Sequence, residues 1–170
     1  SRKNVEDILK SANAPLTVLR AAIIIGSGSA SFEIIRDLVE KLPVMIAPKW
    51  LKTRCQPIGI RNVIEYLQGV MLNSETFNQS FDIGGADILT YKEMLLQFAA
   101  CRGLKRYIYT LPVMSPKISS YWLYFVTSTS YPLAVNLVSS MKIEVIARDS
   151  KLQKLLGITP MTYKQAVELA

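Results

Sequence analysis

Histidine does not occur in this 170-residue chain, which excludes imidazole acid–base catalysis and imidazole-ligated metal sites within it. Cysteine is almost as scarce. Cys55 and Cys101 stand far apart and match no CxxC spacing, so no metal site is expected. Two lone thiols suit a reducing cytoplasm, where each is expected as a partly buried small residue. Charged residues make up only 19% against 50% hydrophobic, a balance that excludes a disordered chain and predicts a packed core. Acidic residues number 13 against 20 basic, a formal charge of +7 that favours an anionic partner. Phosphorylated ligand, nucleic acid and membrane surface all answer that description. The basic residues are scattered and no aromatic–basic interleaving recurs, which argues against nucleic acid. No basic-then-apolar leader pattern opens the chain, and the expected compartment is the cytoplasm. A three-glycine dinucleotide cradle is also lacking.

What is present alternates between strand and helix patterns. Val5, Ile8 and Leu9 share a helical face from the first residues onward, with no cap before them, so an upstream part of the same domain is expected. The run LTVLRAAIII over residues 16–25 predicts one strand buried on both faces of a parallel sheet. It ends in Gly26-Ser27-Gly28-Ser29, a turn followed by a helix with Phe32, Ile34, Ile35, Leu38, Val39 and Leu42 at helical spacing. A short strand is predicted over 44–47, a polar, basic loop over 48–56 and a second short strand over 57–60. A helix over about 62–72 is expected to bury Val63, Leu67, Val70 and Met71. Phe81-Asp82-Ile83-Gly84-Gly85 predicts a strand stopped by a double glycine. Thr90 with Glu93, and Thr162 with Gln165, are capping boxes that open helices. Residues 107–111 predict a further strand, and Ser115-Pro116 a helix start. Residues 118–141 hold no formal charge, yet nine of the 24 are Ser, Thr or Asn and Pro132 interrupts them. They predict a buried or pocket-lining helix pair rather than a membrane span. Peripheral membrane contact through Tyr121, Trp122, Tyr124 and Phe125 is the alternative for this stretch.

Several short motifs occur in a familiar order. Ser1-Arg2-Lys3-Asn4-Val5-Glu6 is similar to S-K-x-x-x-E, and Pro15-Leu16-Thr17-Val18-Leu19-Arg20 to the strand that follows it. Ile25-Gly26-Ser27-Gly28 resembles a Y-G-P-G-like turn, and Gln56 to Val63 a hydrophobic–V–x–D–V helix opening. Phe81 to Gly85 resembles N-I-G-G. Together they resemble the extended and atypical short-chain dehydrogenases/reductases, of the NmrA-like and NAD-dependent epimerase/dehydratase type, over residues 1–103. The resemblance implies the C-terminal portion of a Rossmann-like doubly wound parallel sheet plus a small substrate-binding lobe. Residues 1–112 would supply the later strands and helices with that lobe, and residues 113–170 a helical extension.

In the family a tyrosine acts as general acid/base, and a lysine beside it lowers the tyrosine pKa and holds the nicotinamide ribose. Here Arg2 occupies the presumed lysine position, unless a one-residue shift brings Lys3 there, and the tyrosine would lie upstream of Ser1. A planar guanidinium does not reproduce a compact ammonium donor, so the catalytic residues stay open. Asn62 stands where the family has Asp. The resemblance places Ala21, Ala22 and Ile23 beside the nicotinamide of NAD or NADP, held mainly by the missing N-terminal half. Within residues 48–56, Lys49, Trp50, Lys52, Arg54 and Gln56 are the candidate substrate contacts. Three cations and an indole so close together could clamp a phosphate or carboxylate, so an anionic small-molecule substrate is expected. Arg20, inside an apolar strand, is expected to need a carboxylate or carbonyl partner.

The expected function is part of an NAD(P)-dependent oxidoreductase or nucleoside-diphosphate-sugar-epimerase-like protein, with hydride chemistry on a hydroxyl or carbonyl substrate. The alternative is a non-catalytic NAD(P)-binding scaffold resembling the dehydrogenase-fold accessory subunit of respiratory complex I.

Overall fold

A computed structural model of the chain describes residues 2–11, 14–111 and 141–170. The reading of Ser115-Pro116 as a helix start, and of residues 118–140 as a helix pair or membrane contact, lies outside them. The described elements run α1 (Arg2–Ser11), β1 (Thr17–Ala21), β2 (Ile24–Ile25), α2 (Ala30–Lys41), β3 (Val44–Pro48), β4 (Arg54–Cys55), β5 (Ile58–Gly59) and α3 (Ile60–Val70). They continue with β6 (Gln79–Ile83), β7 (Leu89–Thr90), α4 (Tyr91–Cys101), β8 (Tyr107–Leu111), α5 (Lys151–Leu156) and α6 (Tyr163–Glu168).

The fold is mixed α/β. Strands pair as β1·β6, β2·β5 and β3·β8, all parallel, and as β4·β7, antiparallel. The run 16–25 is therefore two strands rather than one. Ala22 and Ile23 interrupt it, so that β1 lies on β6 while β2 turns to β5. Nor is β1 buried on both faces: its residues are half-buried and Arg20 is exposed. Glu6 explains how the arginine is accommodated, because its carboxylate accepts from Arg20 at 2.7 Å and from Lys10 at 2.6 Å, tying α1 to β1.

Two apolar clusters hold the layers. One joins α2, α4 and α6 to the inner residues of β3 and β8, with Phe32 edge-on to Phe98 at 5.8 Å. The other packs Tyr66, Phe81, Ile83 and Leu152 beneath β1 and α3. Helix α3 buries Asn62, Tyr66 and Val70. Leu67 and Met71, expected inside, are 52% and 70% exposed. The helix begins two residues earlier than its pattern suggested, and Tyr66 rather than Leu67 fills the space against β6.

Glycines mark the closest approaches. A Cβ on Gly85 would collide with the Pro57 carbonyl, to which the Gly85 amide donates at 3.0 Å. Gly84 leaves room for the Gln56 side chain in the same way. The double glycine thus ends β6 so that the β5 segment can cross it.

Candidate functional site

The parallel register sets Arg20 opposite Asp82 and Ala21 opposite Ile83, so the C-terminal ends of β1 and β6 open on the same side. Ligands of parallel α/β sheets bind at this edge. Residues 144–148 cross above it, because Val145 bonds alongside β4: the Gln56 amide donates to Val145 O at 3.0 Å and the Val145 amide to Arg54 O at 3.3 Å. The crossing borders an open cavity of about 310 Å³ lined by Arg20, Ala21, Ala22 and Asp82 from below and Glu144 and Arg148 from above.

Ion pairs stitch the roof to the floor. Arg148 grips Asp82 with two nitrogens, at 2.6 and 3.4 Å. Arg54 grips Glu144 likewise, at 2.9 and 3.2 Å. The guanidinium in each case holds the carboxyl below the usual carboxylate range, by hydrogen bonding first and charge second. Gln56 bridges floor and roof, donating to Gly85 O at 2.7 Å and accepting from the Ala147 amide at 3.0 Å.

On the far side of Glu144 lies a second cavity of about 430 Å³, lined by Pro48, Lys49, Trp50, Lys52, Lys142 and Glu144 among others. The stretch expected as a loop is ordered: a 3₁₀ turn over Lys49–Lys52, then β4, with Trp50, Leu51 and Cys55 buried. The Trp50 ring packs edge-on to Tyr91, with centroids 6.0 Å apart, and its Nε1 finds no hydrogen-bond partner among the described residues.

The candidate residues thus separate. Ala21 and Ala22 face the first cavity, whereas Ile23 is buried in the core and contributes its carbonyl to the Ile58 amide at 2.9 Å. Lys49 and Lys52 border the second cavity, with Trp50 forming its apolar wall. Arg54 and Gln56 are committed to Glu144 and to backbone groups. Arg2 opens α1. Sequence reasoning missed Asp82 as a charge partner and also Lys142, Glu144 and Arg148. The latter three sit in no motif and reach the site only because the chain returns to β4.

Two further substitutions gain a physical account. Asn62 is buried; its Oδ1 accepts from the Met161 amide at 2.9 Å and its Nδ2 donates to Glu65 at 2.7 Å. An aspartate would set two carboxylates against each other there. The Gly26–Ser29 turn satisfies itself: the Gly28 amide donates to the Glu33 carboxylate at 3.2 Å and the Ser29 amide to Gly26 O at 3.1 Å. A carboxylate already occupies the place a phosphate would take, so this turn does not fit a cofactor diphosphate. The small Ala21 and Ala22 do fit a flat ring in the first cavity. No cluster of metal-ligating side chains occurs among the described residues.

No family model and no curated protein matches the sequence. Solved structures do match. A nucleoside-diphosphate-sugar epimerase from Staphylococcus aureus superposes with a TM-score of 0.70 at 13% identity, over 98% of this chain and 56% of that one. A triphenylmethane reductase from Citrobacter sp. gives 0.69 at 18% identity, over 96% and 55%. The UDP-glucuronic acid 4-epimerase from Bacillus cereus, in complex with UDP-glucuronic acid and NAD, gives 0.62 at 13% identity, over 99% and 48%. The chain therefore has the α/β fold of these epimerases and this reductase, and it spans about half of their length.

Proposed function

We propose that the chain is the substrate-side part of an NAD(P)-dependent oxidoreductase or sugar-nucleotide-epimerase-like protein. The observation that carries this reading is the cavity over the C-terminal ends of β1 and β6, floored by Ala21 and Ala22 and edged by the Arg148–Asp82 pair. When bound, the cofactor supplies hydride chemistry to a hydroxyl or carbonyl group. The chain's own residues orient and desolvate. Ala21 and Ala22 leave space for the nicotinamide face, and residues 144–148 keep water from it. Lys49, Lys52 and Lys142 draw an anionic substrate group to the adjoining cavity, where Trp50 offers an apolar wall.

The cofactor diphosphate belongs, on this reading, to an upstream half of the same domain. A cavity of about 780 Å³ between α1 and β1, bordered by Val5, Leu9, Leu16 and Val18, is the surface that half would cover. In the described structure β1 pairs only with β6, and an open parallel edge beside exposed apolar helix residues calls for another strand.

A second reading, a non-catalytic nucleotide-binding scaffold, is favoured by Arg2 at the position of the family's lysine. One experiment separates the two. The full-length protein is titrated with NADH and NADPH by fluorescence, then assayed for cofactor oxidation with a panel of carbonyl compounds. Binding in the micromolar range with turnover supports the enzyme, and binding without turnover supports the scaffold. Failure to bind either nucleotide overturns both. An Ala21→Leu variant is expected to weaken nucleotide binding about tenfold by filling the ring space. The Lys49→Ala/Lys52→Ala variant is expected to raise KM for anionic substrates with kcat little changed.

A further inference from the structure

We propose that the outer face of the β3·β8 pair docks onto an anionic lipid surface. Parallel pairing sets Val44 against Tyr107 and Ile46 against Tyr109. The two-residue period of the strands turns all four side chains outward, at 53%, 59%, 53% and 62% exposure, while Met45, Ala47 and Ile108 enter the core. Two aliphatic and two aromatic side chains thus form a contiguous apolar patch on a face that the described elements leave uncovered. Tyrosine suits the boundary between headgroups and acyl chains, since its ring is apolar and its hydroxyl stays hydrated.

The charges around the patch select the occupant. Lys105 precedes β8, and Lys49 and Lys52 follow β3, so basic groups bracket both ends of the pair. Lys105, Lys49 and Lys52 make no ion pair among the described residues, and the acidic neighbours are taken, Glu40 by Arg102 at 3.2 Å and Glu144 by Arg54 at 2.9 Å. Anionic headgroups complement that arrangement and the net charge of +7. A second copy of the chain would bring like charges together at the ends of the patch. No described helix is long and apolar enough to cross a membrane; the contact proposed is surface attachment through the sheet face.

The test is co-sedimentation of the full-length protein with vesicles of phosphatidylglycerol and phosphatidylcholine, against vesicles of phosphatidylcholine alone. Association with the anionic vesicles only, weakened in roughly 0.5 M salt, is expected. The exposed-face variant Ile46→Ser/Tyr109→Ser is expected to reduce it about tenfold. Val44→Ser/Tyr107→Ser serves as an independent second variant, and Leu67→Ser, exposed on α3, retains binding. Thermal melts confirm that each variant is folded. No binding, equal binding to both vesicle types, or binding unchanged in both face variants overturns the proposal. A fall from dimer to monomer in the face variants with lipid binding unchanged overturns it in favour of a second copy.

Discussion

Single residues of this chain are legible only with their partners. Cys55 and Cys101 look alike in sequence, yet Cys55 is fully buried and its thiol is pushed up to about 12 by desolvation, while Cys101 is partly exposed at the end of α4. A thiol reagent at pH 8 should therefore label Cys101 rapidly, and Cys55 only at the rate of opening or unfolding. Absorbance labelling kinetics that show two equally fast thiols would contradict this burial. Asp82 offers a second check. Because Arg148 depresses its folded-state pKa, the stabilisation is complete above the unfolded value and disappears as pH falls through the folded one. Asp82→Asn should cost up to about 1 kcal/mol at neutral pH, given the exposed partner. It should also flatten the fall of stability below about pH 4, measured by urea unfolding across pH. Gly85 is the residue where the backbone itself decides. An alanine Cβ would meet the Pro57 carbonyl, and Gly85→Ala should destabilise by about 1–3 kcal/mol in the same assay.

At the scale of elements, the capping boxes and the buried face of α2 were readable, and the buried face of α3 was not. Thr90 and Glu93 form the reciprocal box their spacing predicts, with the Glu93 carboxylate held low by the Thr90 amide and hydroxyl. Thr90→Ala should lower stability by about 1 kcal/mol, and Thr90→Ser should restore most of it. The strands over 44–47 and 107–111 were also evident from their composition, as was the turn at Gly26. The split at Ala22–Ile23 was not, because a continuous apolar run carries no mark of which neighbour each residue will pair with. Residues 48–56 misled for a related reason. Their lysines and arginine suggest a solvated loop, but Trp50, Leu51 and Cys55 turn inward against Tyr91 and Met94, and only the cations stay outside.

For the whole molecule, the parallel pairs, the clusters and the likeness to epimerases and a reductase converge on one fold, although identity to those structures is 18% or less. The proposed upstream half has a measurable consequence. Expressed alone, residues 1–170 should self-associate through the groove between α1 and β1, and co-expression with the upstream part of the parent protein should yield a single soluble species by size-exclusion chromatography. A stable monomer with no affinity for the upstream part would contradict the docking role of that groove.

Sequence alone sets the α/β class, the starts of α4 and α6, the double-glycine stop of β6, the absence of imidazole side chains and the positive charge. Each follows from local rules: periodicity, capping and composition act within a few residues. Tertiary structure alone decided the site. Arg148 reaches Asp82 across 66 positions and Glu144 reaches Arg54 across 90, and no local pattern encodes either meeting. They occur because residues 144–148 lie along β4, and that placement depends on hydrogen bonds between backbone groups that every sequence carries alike.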